Sequence, residues 1–390
     1  MHICSRTIQR FLKKYGYKKL KHTTKPGLNI LQRQTRLRWA LQFKDWILED
    51  WKKVVWSDET SVVLGQVRGR RRVWRLSKEL HDKQVIRYRW KGKKEFMFWA
   101  CFSWGYKGPY HIWSDETPQM TARYDRFIRQ YNEDHEAAHK AAWEAEETIR
   151  RAQLKRPPRV PRTWKHTEQT GAMVRKATGG GIDWVRYRFE ILEAKFMPFM
   201  STLGQSFIAQ EDNAAPHASK WNRQFWQESG LQLMRWPPNS PDLSAIEPPW
   251  KDIKWNQGSV RSKKRLAKIW REAWKAMAMK KFQRYVERVQ GNIQWVIRLL
   301  GGNAYKEGTV PPPLTPKEQA QLDKEIEAFL GIIPKLEASG DEWEDLCERL
   351  ELLDISEDEE EEEEIDTLYD EWVVVTIDRL GRIYQRMKPL

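Results

Sequence analysis

Cysteine is scarce in this chain: three in 390 residues, Cys4, Cys101 and Cys347, far apart and odd in number. That excludes a disulfide framework and a cysteine zinc site, and it fits a reducing compartment. Long apolar runs are missing as well. No stretch of about 18 apolar residues occurs, so no membrane span is expected. The polar opening Met1-His2-Ile3-Cys4-Ser5-Arg6 does not read as a secretory signal. No internal repeat is visible.

Positive charge is what the chain has in excess, and it is unevenly spread. The formal net charge is +15, from 69 Lys/Arg and 54 Asp/Glu. Residues 317–390 hold 8 basic and 24 acidic side chains, which leaves 61 basic and 30 acidic for residues 1–316, a net of +31. So basic a segment calls for a polyanion, and nucleic acid is the simplest one. Hydrophobic residues make up 40%, enough for a core over most of the length, and the chain is long enough for two or three domains. Most of the 22 tryptophans stand at helical or strand spacing beside Leu and Ile, which favours core packing over base stacking.

Periodicity gives a first layout. Residues 5–15 read as a short helix with Ser5 as N-cap and Gly16 as its stop. Ile8, Phe11, Leu12 and Tyr15 share one face, and Arg6, Arg10, Lys13 and Lys14 the other. A basic linker follows with Lys18, Lys19 and Lys21. A second helix is expected over 29–49, with Leu37, Ala40, Leu41 and Trp46 in the core. Residues 52–64 read as a strand interrupted at Ser57-Asp58-Glu59. Residues 66–94, with Arg68, Arg70, Arg71 and Arg72, read as turns and hairpins. The near-continuous apolar run 95–102 fits a strand buried on both faces, with a partner near 109–113. Helix is expected over 121–153 and again over 184–200, separated by an exposed, flexible insertion at 155–181. Short strands at 205–211 and 231–236 flank a helix at 219–229. Helices run from Glu247 to about 300, with a break near Gly258. Pro311-Pro312-Pro313 marks a linker to an acidic helical stretch, and the eight acids Glu357–Glu364 read as disordered.

Strands alternating with helices point to an α/β layer fold, in which sites gather at strand ends and helix starts. Three acids stand out against that layout. Asp58 follows an apolar strand and is expected at or near its end. Asp212 directly follows another strand. Glu247 precedes Pro248, which suits the first position of a helix. Positions 213–246, 34 residues, separate the second acid from the third. Three carboxylates brought together repel strongly, and Mg²⁺ or Mn²⁺, as a pair of ions, would remove that cost. Two such ions can stabilise the attacking and leaving oxygens of an in-line displacement at phosphorus. Asn213, His217 and Asp242 are candidates to flank the ligands, with Glu59 a nearby acid ranked beside them. For His217 the expected role is a hydrogen-bonded loop histidine.

Taken together, Trp56-Ser57-Asp58-Glu59-Thr60, Met97–Ser103, Glu211-Asp212-Asn213 with His217, Ser240-Pro241-Asp242-Leu243 with Ile246-Glu247, and Gly301–Tyr305 resemble the transposases of the Tc-one/mariner superfamily. The resemblance covers residues 1–306. It implies a ribonuclease-H-like catalytic domain over 28–306, a mixed sheet flanked by helices, and a partial helix-turn-helix element and linker at 1–27, truncated at its N-terminus. A charged insertion at about 133–185 and an acidic C-terminal extension at 307–390 depart from the family pattern. The implied activity is cut-and-paste DNA transposition at terminal inverted repeats. Asp58, Asp212 and Glu247 would be both the catalytic acids and the metal ligands. Duplex DNA would be the partner, bound by Arg6, Arg10, Lys13, Lys14, Lys18, Lys19, Lys21, Arg68, Arg70, Arg71 and Arg72. The protein would be a homodimer, with no membrane and no small-molecule cofactor. The nucleus is the expected compartment, with Arg261–Arg265 as a candidate import cluster. The competing readings are a catalytically silent, transposase-derived DNA-binding protein and a different metal nuclease on the same fold.

Overall fold

The computed structural model describes residues 14, 25–64, 95–154, 162–175, 181–257, 260 and 262–331. Of the basic residues singled out as DNA contacts, only Lys14 lies inside these ranges; it is helical and exposed. The rest, the Arg68–Arg72 cluster among them, lie outside the described residues, as does the run Glu357–Glu364.

The scaffold is one five-stranded sheet. Its strands are β1 (Val54–Val63), β2 (Glu95–Phe102), β3 (Lys107–Ile112), β4 (Ile208–Gln210) and β5 (Gln232–Met234), laid side by side as β3-β2-β1-β4-β5. The first three form an antiparallel meander, and β4 and β5 join β1 in parallel. Side chains alternate across a pleated strand, and here both faces are covered. Val54, Trp56, Phe96, Phe98, Ala100 and Phe102 enter one core, and Val55, Trp99, Cys101 and Ala209 the other. That double burial is why residues 95–102 read as a continuous apolar run.

The first core is closed by α1 (Ile30–Gln42) and by the C-terminal helices α7 (Glu247–Asn256), α8 (Lys263–Ala276), α9 (Met279–Glu287) and α10 (Val289–Arg298). Asn29 and Gln32 form a capping box at the start of α1. The helix expected over 29–49 is in fact two: α1 ends at Gln42, and α2 (Leu48–Trp51) follows a turn. Phe43, Trp46 and Trp51 fill that turn ring against ring, at centroid separations of 4.7–5.9 Å. Packing there outweighs helical periodicity.

The second core is closed by a continuous helical stretch, called α4 below, made of Trp184–Tyr187, the π-helical Arg188–Phe196 and Met197–Leu203. Before it comes α3 (Pro118–Gln153), capped by the Thr117 side chain. The segment expected as a flexible insertion is partly built into the fold. Ala172 and Met173 are buried, Asn132 holds the Met173 backbone at 2.7 and 3.0 Å, and Arg175 bridges Glu116 and Asp183. Two short helices, α5 (Ala215–Ala218) and α6 (Lys220–Ser229), link β4 to β5. A last helix, α11 (Pro316–Gly331), lays Leu322 and Phe329 against Leu37 and Leu300.

No helix among the described residues is long and apolar enough to cross a membrane.

Candidate active site

The register of the parallel pair decides where the acids meet. Val54 pairs with Ile208 and Trp56 with Gln210. Two residues further along each chain, this places Asp58 beside Asp212. The strand β4 ends at Gln210, while β1 runs on to Val63 beside β2 alone. Asp58 is therefore in mid-strand rather than at a strand end, at the level where its parallel neighbour leaves the sheet. The polar residues at 57–59 do not interrupt β1. Ser57 is held by its hydroxyl, which donates to the Gln210 carbonyl at 2.8 Å.

The same pleat separates the adjacent acids Asp58 and Glu59. Asp58 shares the side of Trp56 and turns toward α7, where the Trp250 indole donates to its Oδ2 at 2.9 Å. Glu59 turns to the opposite side, toward α5, where His217 meets it at 3.3 Å. Glu247 is the first residue of α7, and Pro248 and Pro249 follow it, as suits a helix start. Trp250 lies three residues on and faces the same way, which is how it reaches Asp58.

Asp58, Asp212 and Glu247 line one cavity of about 320 Å³ together with Asn213 and the loop 236–241. Burial pushes the Asp58 carboxyl well above its ordinary value, and the charges of Asp212, Glu247 and Glu59 push it the same way. Burial also raises Glu247, against the pull of Lys251 and Lys254. Asp212 goes the other way. Desolvation opposes its charge, but the His217 charge and hydrogen bond and the Ala214 backbone N–H outweigh it. His217 donates from Nδ1 to Asp212 Oδ1 at 2.6 Å, and its Nε2 faces Glu59. Burial disfavours its proton, yet Glu59 and Asp212 hold it well above the ordinary histidine value, so the ring is an imidazolium spanning two acids. It is hydrogen-bonded as the sequence led one to expect, but from the short helix α5 rather than from a loop, and one of its partners is a candidate ligand.

The other flanking candidates separate. Asn213 lines the cavity and donates to the Trp236 carbonyl at 2.8 Å, tying the two loops of the site together. Asp242 does not line it. It is buried and held by Arg36 and by the Tyr305 hydroxyl at 2.6 Å. Sequence reasoning missed Glu211, a buried acid beside Asp212 that desolvation pushes up to about 7. Its two oxygens accept from the Tyr187 hydroxyl and the Trp226 indole. The alternation Gln210-Glu211-Asp212 at a strand end was the available signal, since neighbours there face opposite ways.

The donor set suits a hard divalent cation. It is oxygen only, carboxylate-rich and repulsive as it stands. Among the described residues, no three His, Cys, Asp or Glu side chains are gathered tightly enough to hold an ion in their present positions. Two of the acids instead lean on a protein partner: Asp58 on Trp250, Asp212 on His217.

A sheet of this strand order, covered by helices on both faces and with acids opening into a cleft where β4 ends, is the ribonuclease-H-like α/β class. No family model matches the sequence. The chain is 24% identical over 299 residues to the transposable element Tc1 transposase of Caenorhabditis elegans, covering 75% of this chain and 84% of that protein. It is 22% identical over 303 residues to the Tcb2 transposase of Caenorhabditis briggsae, covering 76% and 86%. In three dimensions it matches the Mos1 strand transfer complex with a TM-score of 0.52 at 11% identity, over 77% of this chain and 71% of that one. It matches the mariner Mos1 paired end complex with Mg at 0.51 and 13%, over 76% and 71%. In sequence the chain is similar to the nematode Tc1 and Tcb transposases, and in fold to the Mos1 mariner transposase.

Proposed function

We propose that this chain is a DNA transposase that cuts and joins phosphodiester bonds at the ends of a mobile element, with Asp58, Asp212 and Glu247 as its acids. The observation that carries the reading is their convergence. Three carboxylates from a central strand, the end of its parallel neighbour and the start of α7 line one cavity. The relatives named Tc1 and Tcb2 transposase and the Mos1 strand transfer and paired end complexes support the substrate class.

A divalent metal, Mg²⁺ or Mn²⁺, fits the donor chemistry, and Asp58, Asp212 and Glu247 would hold it; when bound it would supply Lewis-acid activation at phosphorus. The remaining groups prepare the site. Trp250 fixes the Asp58 rotamer, His217 keeps Asp212 charged and oriented, and Asn213 ties the β4 exit to the loop that leads to Glu247. The paired end complex named for Mos1 motivates a homodimer here, which sedimentation of the DNA-bound protein would test.

The test is nicking of duplex DNA from the ends flanking the gene, with Mg²⁺ or Mn²⁺, in wild type and in Asp212→Asn. Cleavage that needs metal and is lost in the variant supports the proposal. DNA binding without cleavage in either protein would instead favour a silent, transposase-derived DNA-binding protein.

A further inference from the structure

A second cavity, of about 250 Å³, lies against the far side of Asp212. It shares Asp212, Asn213 and Trp236 with the acid-lined cleft, so the two are separated only by that wall. Its own lining comes from β5 and α6 and includes Arg223, Arg235 and the partly exposed Leu233. We infer that this cavity seats a phosphodiester of the DNA strand as it leaves the acid cleft toward the β5 edge, gripped by Arg235 and Arg223. The inference rests on the DNA-cleaving function proposed above and adds the direction in which the strand runs.

Three observations support it. First, both acids on the cavity wall are already committed. Glu211 accepts from Tyr187 and from Trp226, the latter at 2.8 Å, and Asp212 is held by His217 at 2.6 Å, which leaves Arg235 to offer charge to a ligand. Second, Arg235 is exposed, and no side chain among the described residues pairs with its guanidinium. Its backbone is nevertheless rigid: the Trp39 indole donates to the Arg235 carbonyl at 2.8 Å, and Asn213 donates to the next carbonyl, that of Trp236, at 2.8 Å. An arginine launched from fixed backbone beside a catalytic wall suits bidentate phosphate recognition. Third, Arg223 sits in the first turn of α6, whose cap is fixed by Ser219, and Trp226 and Leu233 give an apolar wall for sugar or base. A position continuous with the cleft favours a phosphate within the substrate strand over a free anion.

The test is metal-free binding of the duplex substrate across a salt series, with Arg223→Ala, Arg235→Ala and Arg235→Lys beside wild type. Each alanine should weaken binding several-fold and flatten the log–log salt slope by about 0.9 per lost phosphate contact. Arg235→Lys should keep the slope and lose part of the affinity. The cleavage rate at saturating DNA should stay within about twofold, because the loss lies in ground-state binding. Replacing a single phosphate beside the scissile one by neutral methylphosphonate should cost wild type as much as Arg235→Ala does, with no further cost in the variant. Unchanged affinity and slope in both alanine variants, with wild type binding and nicking, would overturn the inference and leave the proposed function standing. A wild type that neither binds nor nicks would overturn both. Stabilisation of wild type but not Arg235→Ala by inorganic phosphate, with DNA affinity unchanged, would assign the cavity to a free anion and overturn the strand reading.

Discussion

Arg36, in the middle of α1, grips both carboxylate oxygens of Asp242 at 2.7 and 2.8 Å, with solvent reaching 0% of one side chain and 5% of the other. The pair is 206 residues apart in sequence and ties three parts of the chain together. Arg36 also donates to Ser240 Oγ and to the Gly301 carbonyl, Tyr305 donates to Asp242, and Asn292 holds the Asp242 carbonyl. Gly301 has a φ of +82°, and a side chain there would run into the Arg33 backbone. The loop that delivers Glu247 is thus clamped to α1 and to the Gly301–Tyr305 segment.

Breaking that clamp from one side should be severe. Arg36→Ala or Asp242→Ala leaves a buried charge unpaired, which costs about 3–5 kcal/mol, read as a lower urea midpoint. Burial pushes the Asp242 carboxyl up, but the Arg36 charge and bonds and the Tyr305 hydroxyl outweigh burial and hold it below its ordinary value. An acid held low in the fold stabilises it above the unfolded value, about 3.9, and that stability is lost as pH falls toward the folded value. Wild type should therefore weaken below about pH 4, and Asp242→Asn should be weaker at neutral pH and show less of that acid loss. An equal slope in both proteins would refute the assignment.

Asp58→Asn should be more stable than wild type without metal, while losing cleavage. The carboxyl is half-buried and faces three like charges, and an amide keeps an oxygen for the Trp250 indole while removing the repulsion. A gain of about 1–3 kcal/mol at neutral pH is expected. Adding Mg²⁺ should raise the melting temperature of wild type and leave the variant nearly unmoved. A variant less stable than wild type would mean that the acids do not strain the site.

How far the sequence carried this fold depends on the range of the interactions. A continuous apolar run of strand length made β2 legible, and the Pro248-Pro249 pair made the start of α7 legible, because both signals are local. The break between α1 and α2 was not legible, because it is set by Phe43, Trp46 and Trp51 packing on one another and on Trp39. The polar Ser57–Glu59 step looked like a strand end; it is mid-strand because Ser57, Asp58 and Glu59 each find a partner from a distant element. Asp242 looked like a neighbour of the ligands because it stands five residues before Glu247. The buried arginine that claims it lies far upstream, in a helix whose pattern gives no hint of it.

Arg175 offers a test of the segment that composition alone marks as flexible. Its guanidinium takes both oxygens of Glu116 at 2.6 and 2.8 Å and reaches Asp183 at 2.5 Å, joining the starts of α3 and α4. The Arg175 hydrogen bonds hold Glu116 down at about 2. Arg175→Ala should cost about 1–2 kcal/mol at neutral pH after allowance for solvent screening. The contribution is present above the ordinary glutamate value and disappears as pH falls toward about 2. Proteolysis should show the same link, with faster cleavage between 155 and 181 in the variant. Identical melting and proteolysis would mean that the bridge decorates a segment held by other contacts.

The acidic C-terminal region must be cut at the right place to be tested. Residues 316–331 form α11, whose Leu322 and Phe329 are buried against Leu37 and Leu300 and whose Phe329 carbonyl accepts from Gln34 at 2.6 Å. Removing them should destabilise the fold, since Phe329→Ala alone is expected to cost about 3–5 kcal/mol. A deletion from 332 onward spares that contact and removes 20 acidic and 6 basic side chains. If those charges compete with DNA for the basic part of the chain, the deletion should tighten DNA binding at low salt and steepen its salt dependence, with the gain fading as ionic strength rises. The melting temperature monitors folding in the same samples. Unchanged affinity with unchanged melting would sink the competition idea and leave a partner protein as the use of the acidic segment. Weaker binding with unchanged melting would mean that residues beyond 331 contribute to the DNA contact itself.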